Sequence, residues 1–453
     1  MDRIVSKIGS GIAMAMFCIC STLGTTADTS RTISIIPLPV SIEDRGGVFV
    51  IDPTTQVFAE GDVAVEAAKL IDMLAPAMGF RLKPGRRVPN SIQLDIDSSL
   101  KERLGSEGYE LEVTTDAIRI RAGEGGGLFY GIQTLRQLLP AEILSEQKIE
   151  GVRWAVPCVH IVDTPRFEWR GLLIDPARHF IPVRDVERFI DLMALHKFSR
   201  LQIHFTDDQG WRIEIKKYPK LTQIGSRMDF TTMRQKEPNE KAGGFYTQDE
   251  IRHLVRYAAE RYITIVPEIE MPAHTGAAIV SYPQIGLYPE KLSALPPEQR
   301  WRANERVLAP RPQTVAFMQD VLTEVMDLFP SLYIHIGGDE ANVSHWAKSK
   351  EMQALEKQLG LKNEAELHSW FIKQMDEFLT RHGRRLIGWD EILQGGLAPG
   401  ATVMSWRGQA GGIAAAKAGH DVVMAPTSHT YFDYYQGPKD SEPRAIGGYL
   451  PLE

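Results

Sequence analysis

The amino-acid sequence predicts an α/β fold: a (β/α)8 barrel of the TIM type, lacking its eighth unit, behind a small α+β domain. Three observations carry this reading. From residue 156 onward, short apolar runs alternate with amphipathic helical stretches, the pattern of a parallel sheet. Seven of these runs end in acids or aromatics, and a barrel builds its site at the C-terminal mouth of its strands. Residues 28–155 instead hold strand-like segments, two helices and no paired catalytic acids, which marks a separate domain. Residues 1–27 read as a secretory signal peptide, leaving 28–155 and 156–453 as the two folded parts.

A chain of 453 residues is long enough for two or three domains with a large core. Its net charge of −7 supplies no basic patch, which argues against a nucleic-acid partner. At the start, the basic Arg3 and Lys7 precede an apolar stretch, Ile8 to Leu23, and Thr25-Thr-Ala27 fits a small-x-small cleavage pattern. That stretch is too short and too rich in glycine and serine for a stable membrane span. Export to the periplasm or beyond is the expectation. A lipid anchor on Cys18 or Cys20 fits less well, because Met16-Phe17 is a poor lipoprotein signal. Without the leader only Cys158 remains, so the fold must hold by packing, and Cys158 reads as a small core residue.

In the first domain the strand-like segments are Val48 to Ile51, Ser91 to Ile96, Tyr109 to Val113 and Ala117 to Arg121. Gly61 to Met78 is helical, with Ala64, Ala67, Leu70, Ile71 and Leu74 along one side. A second helix, Leu128 to Leu139, stops at Pro140. Pro157 to Pro165 reads as a linker with a turn at Asp163-Thr-Pro165. The barrel strands are then expected at Arg170 to Asp175, Arg200 to Thr206, Ile263 to Val266, Leu332 to Ile336, Leu386 to Trp389, Thr402 to Trp406 and Asp421 to Met424. Helices are expected at Val183 to His196, Thr247 to Arg261, Gln313 to Leu328, Glu364 to His382 and Gly411 to Ala418. The second of these opens with a capping box, Thr247 paired with Glu250.

The chain is organised around Leu332-Tyr-Ile-His-Ile-Gly-Gly-Asp-Glu340, an apolar strand that breaks at two glycines and presents two acids. A bare Asp-Glu pair is more often a solvated turn. The buried strand and the double glycine, which permits a sharp turn and a close ligand approach, argue for a site. Neighbouring residues at a strand end point to opposite sides, so Asp339 and Glu340 are expected to address different atoms of one substrate.

The string His335-Ile-Gly-Gly-Asp-Glu340 resembles the catalytic motif of glycoside hydrolase family 20, the β-N-acetylhexosaminidases. The likeness extends over almost everything after the leader. It includes Arg170-Gly-Leu-Leu-Ile-Asp175-Pro-Ala-Arg178-His179-Phe180, His204-Phe-Thr-Asp207-Asp208-Gln-Gly-Trp211-Arg212 and Val266-Pro-Glu-Ile-Glu270-Met-Pro-Ala-His274. Departures are mild: the family usually has histidine at Gln202 and more often aspartate at Glu270. The resemblance implies a retaining, substrate-assisted hydrolysis of terminal β-linked N-acetylglucosamine or N-acetylgalactosamine, with no cofactor and an N-acetylhexosamine glycan as partner. Glu340 would be the general acid/base, its pKa pushed upward by burial and by Asp339. Asp339 would hold the 2-acetamido group, and Asp207 and His274 would relay to the acid. Arg170 would bind outer hydroxyls, Trp389 and Trp406 would wall the pocket, and Tyr431 and Asp433 would bind the acetamido carbonyl and outer hydroxyls.

By the same resemblance the eighth strand should carry a further tryptophan and acid, and neither is present. The expectation is therefore a C-terminally shortened barrel, with an inactive or sugar-binding form as the alternative. A metal-dependent hydrolase using His204, Asp207, Asp208, His274 and His335 is a second alternative, although no metal-binding spacing such as His-x-His occurs. Oligomeric state is not legible in the sequence.

Overall fold

The computed structural model describes residues 33–226, 243–443, 445 and 447–452; the leader and its cysteines lie outside them. Among these residues seven strands build the first sheet: β1 (Ser41–Val50), β2 (Gln56–Phe58), β3 (Lys83–Pro84), β4 (Ser91–Ile96), β5 (Tyr109–Val113), β6 (Ala117–Ala122) and β7 (Ala155–Asp163). Their order is β1-β7-β5-β6-β4-β2-β3, antiparallel from β1 to β6 and parallel from there. The pleat explains the alternation in β5, where Tyr109, Leu111 and Val113 are buried while Glu110 and Glu112 are only partly so. The helices Ala64–Met78 and Gly125–Leu138 lay apolar faces against the core.

The segment expected as a linker, from Pro157 to Pro165, is largely strand. β7 pairs with both β1 and β5, so the first domain runs on to Asp163. Pro157 suggested a break because it has no N–H to give to a ladder. It faces Val48 where the register of β1 shifts between Asp44 and Val48, and the irregularity accommodates the missing donor. Cys158, within this strand, is buried.

The second sheet contains β8 (Gly171–Ile174), β9 (Arg200–His204), β10 (Thr264–Glu268), β11 (Tyr333–His335), β12 (Arg385–Trp389), β13 (Thr402–Ser405) and β14 (Val422–Met424). All pairings are parallel and each strand lies beside the next in sequence. Contacts that skip strands show the sheet curling on itself in the manner of a TIM barrel. Trp389 of β12 donates to Glu268 of β10 at 2.9 Å, and Trp169, ahead of β8, meets Tyr333 of β11 at 5.4 Å between rings. Among the described residues the sheet has seven strands, with β8 and β14 at its edges; Leu173 and Met424 are 41% and 46% exposed there.

Helices Val183–Leu195, Gln248–Ala259, Pro312–Leu328, Glu364–Arg381 and Ala410–Lys417 connect the strands. The capping box forms: Glu250 N–H donates to Thr247 Oγ1 at 3.2 Å and Thr247 N–H to Glu250 Oε2 at 2.8 Å. Three short helices between Gly276 and Ala303 had no counterpart in the sequence reading. Among the described residues no helix is long and apolar enough to cross a membrane.

A polar seam joins the two sheets' domains at the N-terminal end of β8. Arg170 Nη2 donates to Glu107 Oε1 at 2.8 Å, and its Nε donates to the Lys197 carbonyl at 2.8 Å. Lys197 itself is buried between Tyr109 and Asp163, at 2.8 and 3.0 Å.

Candidate active site

The strand β11 runs into Gly337 and Gly338, whose φ angles are +69° and +89°. A Cβ at Gly337 would lie 1.6 Å from a Glu270 oxygen, so no side chain fits there. Glu340 follows at φ +47°, and His274, in the loop after β10, at φ +51°. An L-residue in this left-handed region costs about 1–2 kcal/mol, a strain that recurs at functional sites. These two strained residues face each other.

His274 is the centre of the arrangement. Its Nδ1 lies 3.2 Å from Asp207 Oδ1, and its Nε2 lies 3.3 Å from Glu340 Oε2 and 3.4 Å from Asp339 Oδ2. The two acids therefore converge on one nitrogen instead of pointing to opposite sides. Strand alternation stops at Gly337, and the left-handed Glu340 turns its carboxyl back. Burial disfavours a charged imidazole, yet the charge of Asp207 and hydrogen bonds to Asp207, Asp339 and Glu340 hold His274 protonated far above the usual range. Burial also works to raise Asp207, but His274 and Arg178 outweigh it and keep that carboxyl well below the usual carboxylate range.

The expected upward shift of Glu340 is not what the structure holds. The hydrogen bond with His274 lowers its pKa, against a partial burial that works the other way. The reason is geometric: the Glu340 side chain stands 57% exposed at the mouth, with the imidazolium beside it.

Arg170 is not at this site. It precedes β8 and is spent in the seam described above. Arg178, in the loop after β8, takes the place at the mouth, with Nη2 2.8 Å from Asp207 Oδ2 and Nη1 2.7 Å from Asp175 Oδ2. Both arginines lie in one motif. The criterion that sites gather at C-terminal strand ends would have chosen Arg178.

The aromatic residues come together as a wall. Trp389 is fixed by Glu268, which also accepts from Gln202 Nε2 at 2.7 Å and lies 3.3 Å from His335 Nδ1. Burial would raise Glu268, but His204 and His335 bring it down to about 2. Trp406 stacks on Tyr431 at 6.3 Å and 23°, and its Nε1 donates to Glu391 Oε2 at 3.0 Å. Burial is the main force lifting Glu391 to about 7, with Asp339 adding to it while Trp406 and Arg407 oppose. Asp433 is exposed, two residues beyond Tyr431; burial raises its carboxyl, and the field of Asp175 adds to that while Arg178 opposes it. Glu268, Glu270, Glu391 and Arg178 had no assigned role from sequence, although each stands in or beside a strand-end motif.

Among the described residues three trios offer ligand atoms within 4.8 Å of one another: His204–Glu268–Glu270, Asp207–Asp208–His274 and His274–Asp339–Glu340. His335 belongs to none of them; its Nδ1 accepts from the Gly337 N–H at 3.0 Å. In the last two trios His274 is the shared donor. Its two nitrogens already face carboxylates and its proton is held tightly, so a cation would have to displace that proton.

Comparison with known proteins matches this geometry to a family. The model of "Glycosyl hydrolase family 20, catalytic domain" matches residues 167–453, and that of "Glycosyl hydrolase family 20, domain 2" matches 32–164. The boundary falls after β7 instead of at 155. A β-hexosaminidase of Porphyromonas gingivalis is 42% identical over 96% of this chain, which spans 57% of that protein's length. The family-20 β-N-acetylhexosaminidase structure from Streptomyces coelicolor superposes with a TM-score of 0.78 at 31% identity, covering 92% of this chain and 80% of that one. A Streptomyces plicatus β-hexosaminidase mutant in complex with its product N-acetylglucosamine gives a TM-score of 0.78 at 31% identity, covering 92% and 79%. With both of its domains matched in order, this chain belongs to family 20 of the glycosyl hydrolases.

Proposed function

We propose that the protein is an exo-acting β-N-acetylhexosaminidase that releases terminal β-linked N-acetylglucosamine or N-acetylgalactosamine with retention of configuration. One observation carries this reading: Asp339 and Glu340, adjacent in sequence, are gathered on a single imidazole nitrogen of His274. An ordinary retaining enzyme needs two carboxylates facing each other across the bond, about 5–5.5 Å apart, and a family-20 enzyme takes its nucleophile from the substrate instead. Two acids on one side suit the second arrangement. The product-bound Streptomyces plicatus relative supports the substrate class.

In the proposed reaction Asp339 orients the acetamido N–H and balances the charge that develops on it. The acetamido oxygen attacks the anomeric carbon while the bond to the leaving oxygen breaks, and Glu340 gives that oxygen its proton. Water then opens the oxazolinium ion, and Glu340 takes the proton back. A sugar seated over the exposed Glu340 carboxyl removes it from water, which lifts its pKa toward a proton-donating range. His274, held charged by Asp207, keeps its own proton and steadies the Glu340 carboxylate beside it until a sugar is seated, and Glu340 takes up its proton from solvent. In this reading Arg178 and Asp433 bind outer hydroxyls, and Trp389, Trp406 and Tyr431 enclose the acetamido group, which the meeting of Arg178 with Asp207 and of Trp406 with Tyr431 supports.

Release of nitrophenol from the β-N-acetylglucosaminide, with the plain β-glucoside as control, tests this. Cleavage of the acetamido sugar alone, reduced about 10²–10⁴-fold in Glu340→Gln, is expected. Equal cleavage of both sugars would overturn the neighbouring-group mechanism. We also propose export, on the strength of the leader-like residues 1–27. N-terminal sequencing of the mature protein would reveal an uncleaved start if this is wrong.

A further inference from the structure

Trp406 stands just past the end of β13, where no ladder pairing determines its indole. The χ2 torsion of a tryptophan is broad and roughly two-fold. Trp406 packs against the cluster of Ile387, Trp389 and Met404, and one directional bond adds to that packing. The indole N–H donates to Glu391 Oε2 at 3.0 Å, and Glu391 is buried in the turn that directly follows Trp389. The neighbouring Asp390 secures the same joint: Arg407 Nε donates to Asp390 Oδ1 at 2.6 Å, and Arg407 Nε lies 3.5 Å from Glu391 Oε1. Ser405 Oγ donates to Asp390 Oδ2 at 3.3 Å. Two adjacent carboxylates thus tie the end of β12 to the end of β13. The tie consumes the polar edge of the Trp406 indole and leaves its carbon face to stack with Tyr431.

We infer that Glu391 is a positioning residue which fixes the Trp406 indole and so limits how large an N-acyl group the sugar site admits. The inference rests on the proposed function, because it concerns the wall around the acetamido methyl. Trp389 has a parallel arrangement with Glu268, yet that carboxylate is wholly enclosed and accepts from two side chains, so its removal would perturb the whole barrel interior. Glu391 is the point at which one wall can be released alone.

The test compares kcat and KM for nitrophenyl β-glucosaminides bearing N-acetyl and N-butanoyl groups. A shaped apolar pocket discriminates by about 10–200-fold per methylene, so the unaltered protein should strongly prefer N-acetyl. Glu391→Leu should reduce that preference to a few-fold, chiefly by raising KM for the N-acetyl sugar. Glu391→Gln, which keeps an accepting oxygen, should retain the preference. Trp406→Phe, an aromatic wall without an N–H, should reproduce the relaxed selectivity, and adding Glu391→Leu to it should relax selectivity no further. Orientation can also be read without turnover. The Trp406 indole N–H resonance should lose its downfield shift and exchange protection in Glu391→Leu while the other tryptophan signals stay in place. An unmoved resonance, or an unchanged acyl preference in Glu391→Leu, overturns the inference. Failure of the unaltered protein to cleave the N-acetyl sugar counts against the proposed function, and the resonance still decides whether Glu391 fixes the ring.

Discussion

Arg170 and Arg178 flank the same strand, β8, and the two ends of that strand treat charge differently. At the N-terminal end the guanidinium of Arg170 has its donors taken up by Glu107, Tyr130 and the carbonyls of Lys197 and Phe167, at 2.7–3.2 Å. Five N–H groups in a fixed fork meet acceptors from both domains. At the C-terminal end Arg178 meets Asp175 and Asp207 but keeps its side chain 37% exposed, twice the 18% of Arg170. Beyond it, His274 and Glu340 hold left-handed backbone, and among the described residues the buried Asp339 Oδ1 and Glu270 Oε2 have no hydrogen-bond partner. A saturated network joins domains. A network with strained backbone and unpaired atoms stores free energy that a ligand can recover. Sequence proximity does not distinguish the two, since only eight positions separate the arginines.

The contrast can be broken from either side. The largest effect is expected at the mouth, where Arg178→Ala should lower kcat/KM by about 10²–10³-fold, in the range of losing one transition-state donor. Arg170→Ala should leave kcat nearly intact but cost about 1–3 kcal/mol of stability, read as a lower melting temperature. A well-folded Arg170→Ala protein that lost activity as Arg178→Ala does would erase the distinction.

Next in size is the pH response of the mouth. The folded-state pKa of Asp207 is depressed, so its contribution is present above the ordinary carboxylate value of about 3.9 and fades as pH falls through the folded value. His274 has the opposite sign: its raised pKa gives stability that is complete below about 6.5 and is lost as pH rises through the folded value. Asp207→Asn should therefore flatten the acid limb of a plot of melting temperature against pH. An acid limb as steep as before would mean that other carboxylates carry it.

The smallest effect serves as a control away from both ends of β8. Thr247→Ala removes one half of a capping box and should cost about 0.5–2 kcal/mol in denaturant unfolding, with no change in rate. A loss of activity there would show that the helix Gln248–Ala259 couples to the mouth.

The sequence by itself determined the order and kind of the barrel elements, the capping box and the strand-end motifs. Apolar periodicity, caps and glycine breaks act within a few residues, so they are legible locally. The acid pair at 339–340 could be singled out because it follows a buried strand and a double glycine, whereas Asp207 and His274 received their part from the resemblance to family 20. Tertiary structure alone decided which arginine joins them, that Pro157 sits inside a strand, and that Glu340 is lowered instead of raised. It alone showed which carboxylates hold the wall tryptophans: Trp389 and Glu268 are 121 positions apart. A side chain's ionisation and orientation are sums over neighbours delivered by several strands. Those sums depend on three-dimensional distance, and spacing along the chain does not encode it.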